Sequence, residues 1–400
     1  MTDALFPMPR AAGCPFDPSP ELRRRIEEEP VSQARLWDGS TPWLVTRYAD
    51  VRALLADPRV SVDVAQPGFP HTNAVSKARD AYMKTLMQMD APEHVAQRRL
   101  LISDFTIKRM EALRPRIQRI VDDLIDEMLA GPNPVDLVEA FALPVPSLVI
   151  CELLGVPYTD RAFFHRVART LVMDEPDPEQ AIAASEELNA YLEELVDRRN
   201  AEPGDDVISR LAVEQYRTGV MTRREIATIG QLLLVAGHDT TATMISLGTA
   251  ALLAHPDQLR QIRDGGDPAL VANAAEELLR YLSITHTEAR RVARADIEIG
   301  GRLIREGEGV IGVKSIANRD PSAFPEPDTL DVRRKARHHV AFGFGAHQCL
   351  GQSLTRVELQ VVYGTLYRRI PTLALAVPLD ELTFKPDAIF YGVRELPVTW

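Results

Sequence analysis

Apolar positions recur at three- and four-residue spacing along most of the 400-residue chain, the period of helices that bury one face. The spacing predicts helices at about 92–104, 107–130, 143–155, 160–173, 178–201, 205–217, 267–282 and 350–369, punctuated by proline and glycine. The clearest opens at Thr222-Arg223-Arg224-Glu225, a capping box, and runs to about Leu253, ahead of Pro256. At 1.5 Å per residue it is about 45 to 50 Å long. Strand patterns are short: 34–47 and 58–63 around the turn Asp38-Gly39-Ser40, with one short helix at 50–55 between them, then 291–315 with a turn at Gly300-Gly301, and pairs beyond 373. Residues 64–88 and 319–340 read as irregular, the first as a mobile loop rich in methionine between Met83 and Met89. The expected fold class is mainly α with small β-sheets. No linker, charge block or internal repeat divides the chain, so a single domain over 1–400 is expected, with an extended segment over about 1–20.

A hydrophobic content of 45% and a charged content of 26% suit a globular protein with a sizeable core. The net charge of −11 argues against nucleic acid and against anionic membrane surfaces as partners. The N-terminus lacks the basic start and apolar core of an export signal. Residues 229–254 are long enough to cross a bilayer but carry Gln231, His238 and Asp239, and read as a buried helix. The three cysteines, Cys14, Cys151 and Cys349, have neither zinc spacing nor a disulfide framework, so a cytoplasmic location is the natural reading.

Two polar interruptions carry the candidate chemistry. Cys349 lies in the run FGFGAHQCLG at 342–351, where Gly343, Gly345 and Gly351 leave room for a flat ligand and a helix begins close behind. A helix start lowers a thiol pKa, which makes Cys349 a candidate thiolate ligand; the plainer alternative is a buried structural cysteine. A dinucleotide-binding loop fits badly, because its third glycine would fall on Gln348. In the middle of the long helix, AGHDTT at 236–241 sets an acid and an alcohol where apolar residues are expected. There Gly237 would let a planar group approach, and Thr240 is expected to bond the Ala236 carbonyl; the alternative is a simple helix kink.

FGFGAHQCLG resembles the haem-binding loop of the cytochrome P-450 family, and AGHDTT resembles that family's oxygen-activation segment. The resemblance extends over nearly the whole chain and is strongest to soluble actinobacterial members that act on bulky secondary metabolites and xenobiotics. It implies the single-domain cytochrome P-450 fold, with haem between the long central helix and the Cys-bearing loop. It further implies haem b ligated by Cys349 and contacted by Phe342, Gly343, Gly351, Ala236 and Gly237, with propionate anchors at His94, Arg98, Arg291 and His347. Asp239 and Thr240 would manage protons.

Glu277 and Arg280 match the family's E-x-x-R brace, to be completed by Arg333 or Arg334, although such a pair is more often a solvated surface bridge. Two departures stand out: Ala91 replaces a usual proline, and Thr329 a usual arginine. The implied activity is a monooxygenase using O2, with NAD(P)H electrons arriving through a separate ferredoxin and reductase, in a monomer. A peroxide-driven enzyme and a non-catalytic haem or ligand-binding protein are the alternatives. Met87, Val235, Thr287 and Ile389 are candidate substrate contacts. Residues 64–88 and the junction near 170–180 are expected to set substrate choice. The cations Arg333, Arg334, Lys335 and Arg337 are expected to meet an acidic ferredoxin.

Overall fold

The capping box forms as the sequence requires. In the computed structural model the Thr222 amide donates to Glu225 Oε2 at 2.7 Å and the Glu225 amide to Thr222 Oγ1 at 3.2 Å, opening a helix over Arg223–Ala254. The structure describes residues 5–400 except 75, 79–84, 161, 162, 165, 168, 169, 171–177 and 387. The expectations for the loop around Met83 and for the junction at Met173, Asp174, Glu175 and Pro176 lie outside the described residues, as does much of the helix expected at 160–173. The described chain forms two compact units, each assembled from separated segments.

The first unit comprises Met1–Arg99, Ala254–Gln352 and Pro386–Gly392. Its sheet has the order β1 (Val31–Gln33), β2 (Trp43–Val45), β8 (Gly309–Gly312), β5 (Ala289–Ala293), β3 (Val60–Ser61). Strands β2 and β8 run parallel, and the other neighbours are antiparallel. A hairpin of β6 (Ile297–Ile299) and β7 (Arg302–Ile304) turns at Gly300 and Gly301, whose φ of 55° and 74° favour glycine. Val51, Leu54 and Leu55 from the helix Tyr48–Ala56 pack with Val45, Val310 and Phe324 in the core.

One early expectation needs correction: apart from an isolated bridge at Arg35, residues 34–42 are not strand, and β1 starts at Val31, three residues before the predicted run. The N-terminal segment has no helix or named strand over 5–19 and is packed: Phe6, Met8 and Phe16 are buried, the Phe6 amide bonds the Arg35 carbonyl, and a helix follows at Pro20–Glu28.

The second unit comprises Leu100–Leu253, Ser353–Lys385 and Val393–Trp400. Its helices at Ile107–Ala130 and Pro144–Leu154 agree with the periodicity, and the expected 205–217 helix divides into Val207–Leu211 and a π-helical turn. Strands β4 (Val135–Asp136), β10 (Pro397–Thr399) and β9 (Ala374–Leu375) form its sheet. The long helix is buried over most of Ile226–Leu252, as expected. On it, a Cβ at Gly248 would lie 2.1 Å from Tyr363 Oη, and that hydroxyl donates to the Met244 carbonyl at 2.5 Å. Among the described residues no helix is long and apolar enough to cross a membrane.

The Glu277–Arg280 pair, on the helix Pro268–Leu282, is no surface bridge. Both side chains are fully buried, and Arg280 donates Nε and Nη2 to the carboxylate at 2.7 Å each. Arg280 also donates to the carbonyls of Asn318 and Pro327, both at 2.8 Å, while Glu277 accepts the Asp331 amide and, at 3.1 Å, Arg334 Nε. Arg334 rather than Arg333 therefore completes the brace; Arg333 donates to Gln261. At position 329 it is the backbone carbonyl that accepts from Arg280 and Arg334, so the threonine there costs the brace nothing. Removing one partner strands a buried charge. Glu277→Gln should destabilise the first unit by about 3–5 kcal/mol in denaturant unfolding. Glu111→Gln, which breaks the exposed pair with Arg114, should cost under about 1 kcal/mol. Equal losses would contradict the brace.

Candidate active site

The loop at 342–351 is shaped by its own backbone. The Cys349 amide donates to the Phe342 carbonyl at 2.9 Å and the Gln348 amide to Gly345 at 3.1 Å, closing the loop under the thiol. Gly345 has φ 73°, and a Cβ there would lie 2.3 Å from the Leu55 carbonyl oxygen, so this turn admits only glycine. Gly343, at φ 72°, needs its glycine for conformation and not for space. A Cβ at Gly351 would stand 4.0 Å from Cys349 Sγ, an ordinary contact. The Cys349 side chain is exposed, which excludes a buried structural role. The guanidinium of Arg52 lies 4.2 Å above the Phe344 ring. The helix behind the loop begins at Gln352, slightly later than expected.

Around this loop, four side chains converge. Arg98 donates to the Gln348 carbonyl at 2.7 Å, and its charge lies close enough to Cys349 to interact with it. His94, on the same helix (Glu93–Ile102), is buried with its ring centroid 4.0 Å from that of His347. Burial first, then Arg291, His94 and Arg98, push His347 down to about 3. Burial and Arg98 lower His94, and burial brings Arg291, on β5, down to about 10.

Among the described residues neither Arg98 nor Arg291 has an ion-pair partner, and the buried His94 Nε2 has no hydrogen-bond partner. Among the described residues Arg291 donates to the Arg290 carbonyl, and Asp90, the acid nearest in influence, is engaged by the Ser61 hydroxyl and the Val62 amide. Arg98 and Arg291 are half-buried guanidinium groups and His94 and His347 are neutral donors, and partly desolvated charge without an anion is costly. The cluster therefore fits the carboxylates at the edge of a large planar group, and the exposed thiol supplies a metal ligand for it.

In the second unit, Thr240 Oγ1 donates to the Ala236 carbonyl at 2.8 Å, as expected. Burial of the long helix is interrupted here: Ala236 is exposed and Val235, Gly237, Asp239 and Thr240 are half-buried, while Gln231–Leu234 and Thr241–Ala250 are buried on either side. Gly237 also has a packing reason. A side chain there would meet Ile150 Cδ1 at 3.1 Å, so the glycine serves packing against the helix Pro144–Leu154.

Sequence reasoning missed Glu358. It is buried, and burial pushes its carboxyl up to about 8, with the nearby Thr241 hydroxyl moderating the shift. The signal was available as the one acid in the apolar run Val357–Val362 of the last helix, Gln352–Arg369.

The candidate substrate contacts fall in both units, Met87, Thr287 and Ile389 in the first and Val235 in the second. Thr287 is buried and Ile389 half-buried, and the His286 amide donates to the Ile389 carbonyl at 2.8 Å, which brings these two segments together. Val235 flanks the opening in the long helix, and Met87 is exposed on a short turn, Leu86–Gln88.

The family model described as Cytochrome P450 matches residues 24–370. Cytochrome P450 GfsF of Streptomyces halstedii is 54% identical over 99% of this chain and 96% of its own length. The crystal structure of GfsF superposes with a TM-score of 0.95 at 53% identity, covering 99% of this chain and all of that one. A vitamin D3 dihydroxylase of Streptomyces griseolus is 46% identical, covering 100% of this chain and 98% of its own. With an exposed cysteine in a glycine-shaped loop, a cation cluster that lacks its anion and relatives matched from end to end, the chain belongs to the cytochrome P450 family and is a P450 monooxygenase.

Proposed function

We propose that the protein inserts one oxygen atom of O2 into a bulky, largely apolar small molecule, taking electrons from NAD(P)H through a separate ferredoxin and reductase. Residues 1–400 act in this reading as one haem-thiolate monooxygenase domain, a cytoplasmic monomer. The observation that carries it is the set His94, Arg98, Arg291 and His347 beside Cys349, in which, among the described residues, neither arginine has an ion-pair partner and the buried His94 Nε2 has no hydrogen-bond partner. Haem b supplies the oxidative chemistry when bound, and a thiolate ligand favours O–O cleavage.

The chain's own residues have separate tasks. Cys349 holds the iron, the four cationic and imidazole groups hold the propionates, and the Phe342–Gly343 turn and Gly351 shape the loop. Thr240 has committed its proton to Ala236, so its oxygen faces the opening as an acceptor and can fix a donor there. Asp239, the next residue on the same opening, is the group that can lose and regain a proton. Val235, Thr287 and Ile389 would present apolar and small polar surface to the substrate, with Met87 at a more peripheral contact. The named activity of the vitamin D3 dihydroxylase supports a bulky apolar substrate. Of the basic residues ahead of the loop, Arg334 is turned to Glu277 and Arg333 to Gln261, which leaves Lys335 and Arg337 exposed to meet an acidic ferredoxin.

Thr240→Ala should keep haem content and substrate affinity while product formed per NADPH consumed falls about tenfold or more, the scale of a lost proton-transfer contribution. Unchanged coupling would leave Thr240 as a kink residue. Reduction by ferredoxin, followed by stopped flow, should slow as salt rises, and Lys335→Glu should slow it further at low salt with substrate affinity constant. A rate indifferent to both would remove Lys335 from the docking surface.

A further inference from the structure

The N-terminal segment sets a half-buried guanidinium against the first unit. Arg10 Nη2 donates to the carbonyls of Leu282 at 2.6 Å and Ser283 at 3.1 Å, and Nη1 to that of Phe16 at 3.1 Å. Its Cζ lies 4.3 Å from the centroid of the Tyr391 ring. Arg10 has no ion-pair partner among the described residues, and burial brings its pKa down to about 10. A charge satisfied by carbonyls and one ring contributes less to stability than apolar packing of the same volume would, but its planar fork fixes where its partners stand.

Those partners are the two sides of one small ladder. Leu282 and Ser283 end the helix Pro268–Leu282, with Ser283 at φ 40°, and the chain continues through Ile284, Thr285 and His286 to Thr287. Tyr391 stands on the opposite side. The Tyr391 amide donates to the Ile284 carbonyl at 2.8 Å, the His286 amide to the Ile389 carbonyl at 2.8 Å, and Thr285 pairs with Phe390 in between. Arg10 thus grips one side by its carbonyls and the other by its ring. Next to it lies a cavity of about 20 Å³, room for roughly one water, bordered by Phe6, Met8, Arg10, Thr285, His286 and Glu288.

We propose that Arg10 is a positioning residue for ligand size. By setting the spacing of 284–287 against 389–391 it fixes the wall that carries Thr287 and Ile389, and so the bulk of ligand that the wall accepts. This rests on the reading of Thr287 and Ile389 as substrate contacts in a haem protein.

The test uses the haem-loaded full chain and two probes, imidazole, which is hardly larger than an iron ligand, and econazole, which carries the same ring on a bulky apolar body. In Arg10→Met, hydrogen exchange at the His286 and Tyr391 amides should accelerate about tenfold while the Ile311 amide in β8 is unchanged. Econazole Kd should rise about five- to tenfold by spectral titration, with imidazole Kd constant. Arg10→Lys, which keeps the charge without the fork, should fall between. Unchanged exchange at His286 and Tyr391 would overturn the proposal. So would equal acceleration at Ile311, or equal weakening of both azoles, since either marks general destabilisation. A wild-type protein that takes up no haem and shows no Soret band would instead sink the haem reading, and the exchange measurement would still decide whether Arg10 holds the ladder.

Discussion

A buried positive charge must be answered, and the first unit answers its guanidinium groups in different ways. Arg280 is answered from within, by a bidentate carboxylate and two carbonyls. Arg291 is answered by one carbonyl of its own neighbour, and together with Arg98, His94 and His347 it leaves an unbalanced cluster beside an exposed thiol. Among the described residues the opposing charges that act on this cluster are those of Asp90 and Cys349, and neither forms an ion pair with Arg98 or Arg291, so desolvation is offset only in part. The glycine turn at 345, the helix Glu93–Ile102 and strand β5 all serve to hold these groups where an anionic, metal-bearing group can complete them.

The second unit shows the complementary economy. A helix buried along most of its length tolerates polar residues only where they are bonded or used, and its exposure returns at 235–237, 239 and 240. Thr240 bonds the helix's own carbonyl, so its polarity is satisfied locally while its oxygen remains able to accept. Glu358, by contrast, is kept by burial near neutrality at ordinary pH, so it sits in the interior without needing a cation.

Motifs with fixed local spacing were legible in the sequence. The Thr222 capping box, the cysteine loop and the AGHDTT segment each depend on residues within ten positions, and the hydrogen bonds expected of the capping box and of Thr240 form. What was not legible depends on distant partners. The burial of Glu277 and Arg280 comes from the 318–334 stretch folding over them, and the choice of Arg334 over Arg333 is one of direction from an irregular backbone. The packing of Gly237 against Ile150 likewise depends on a residue far away in sequence. The segment at 5–19 has too many prolines for a periodic pattern, so its packing through Phe6, Met8 and Phe16 left no local trace.

The central claim is that Cys349, as a thiolate, holds a haem whose carboxylates answer the cation cluster. Its most direct test is the absorption spectrum of the purified protein, reduced under carbon monoxide. The account predicts the red-shifted Soret band of thiolate ligation, lost in Cys349→His even where that variant still binds haem. A histidine-type spectrum from the unaltered protein, or a red-shifted band that survives in Cys349→His, would contradict it.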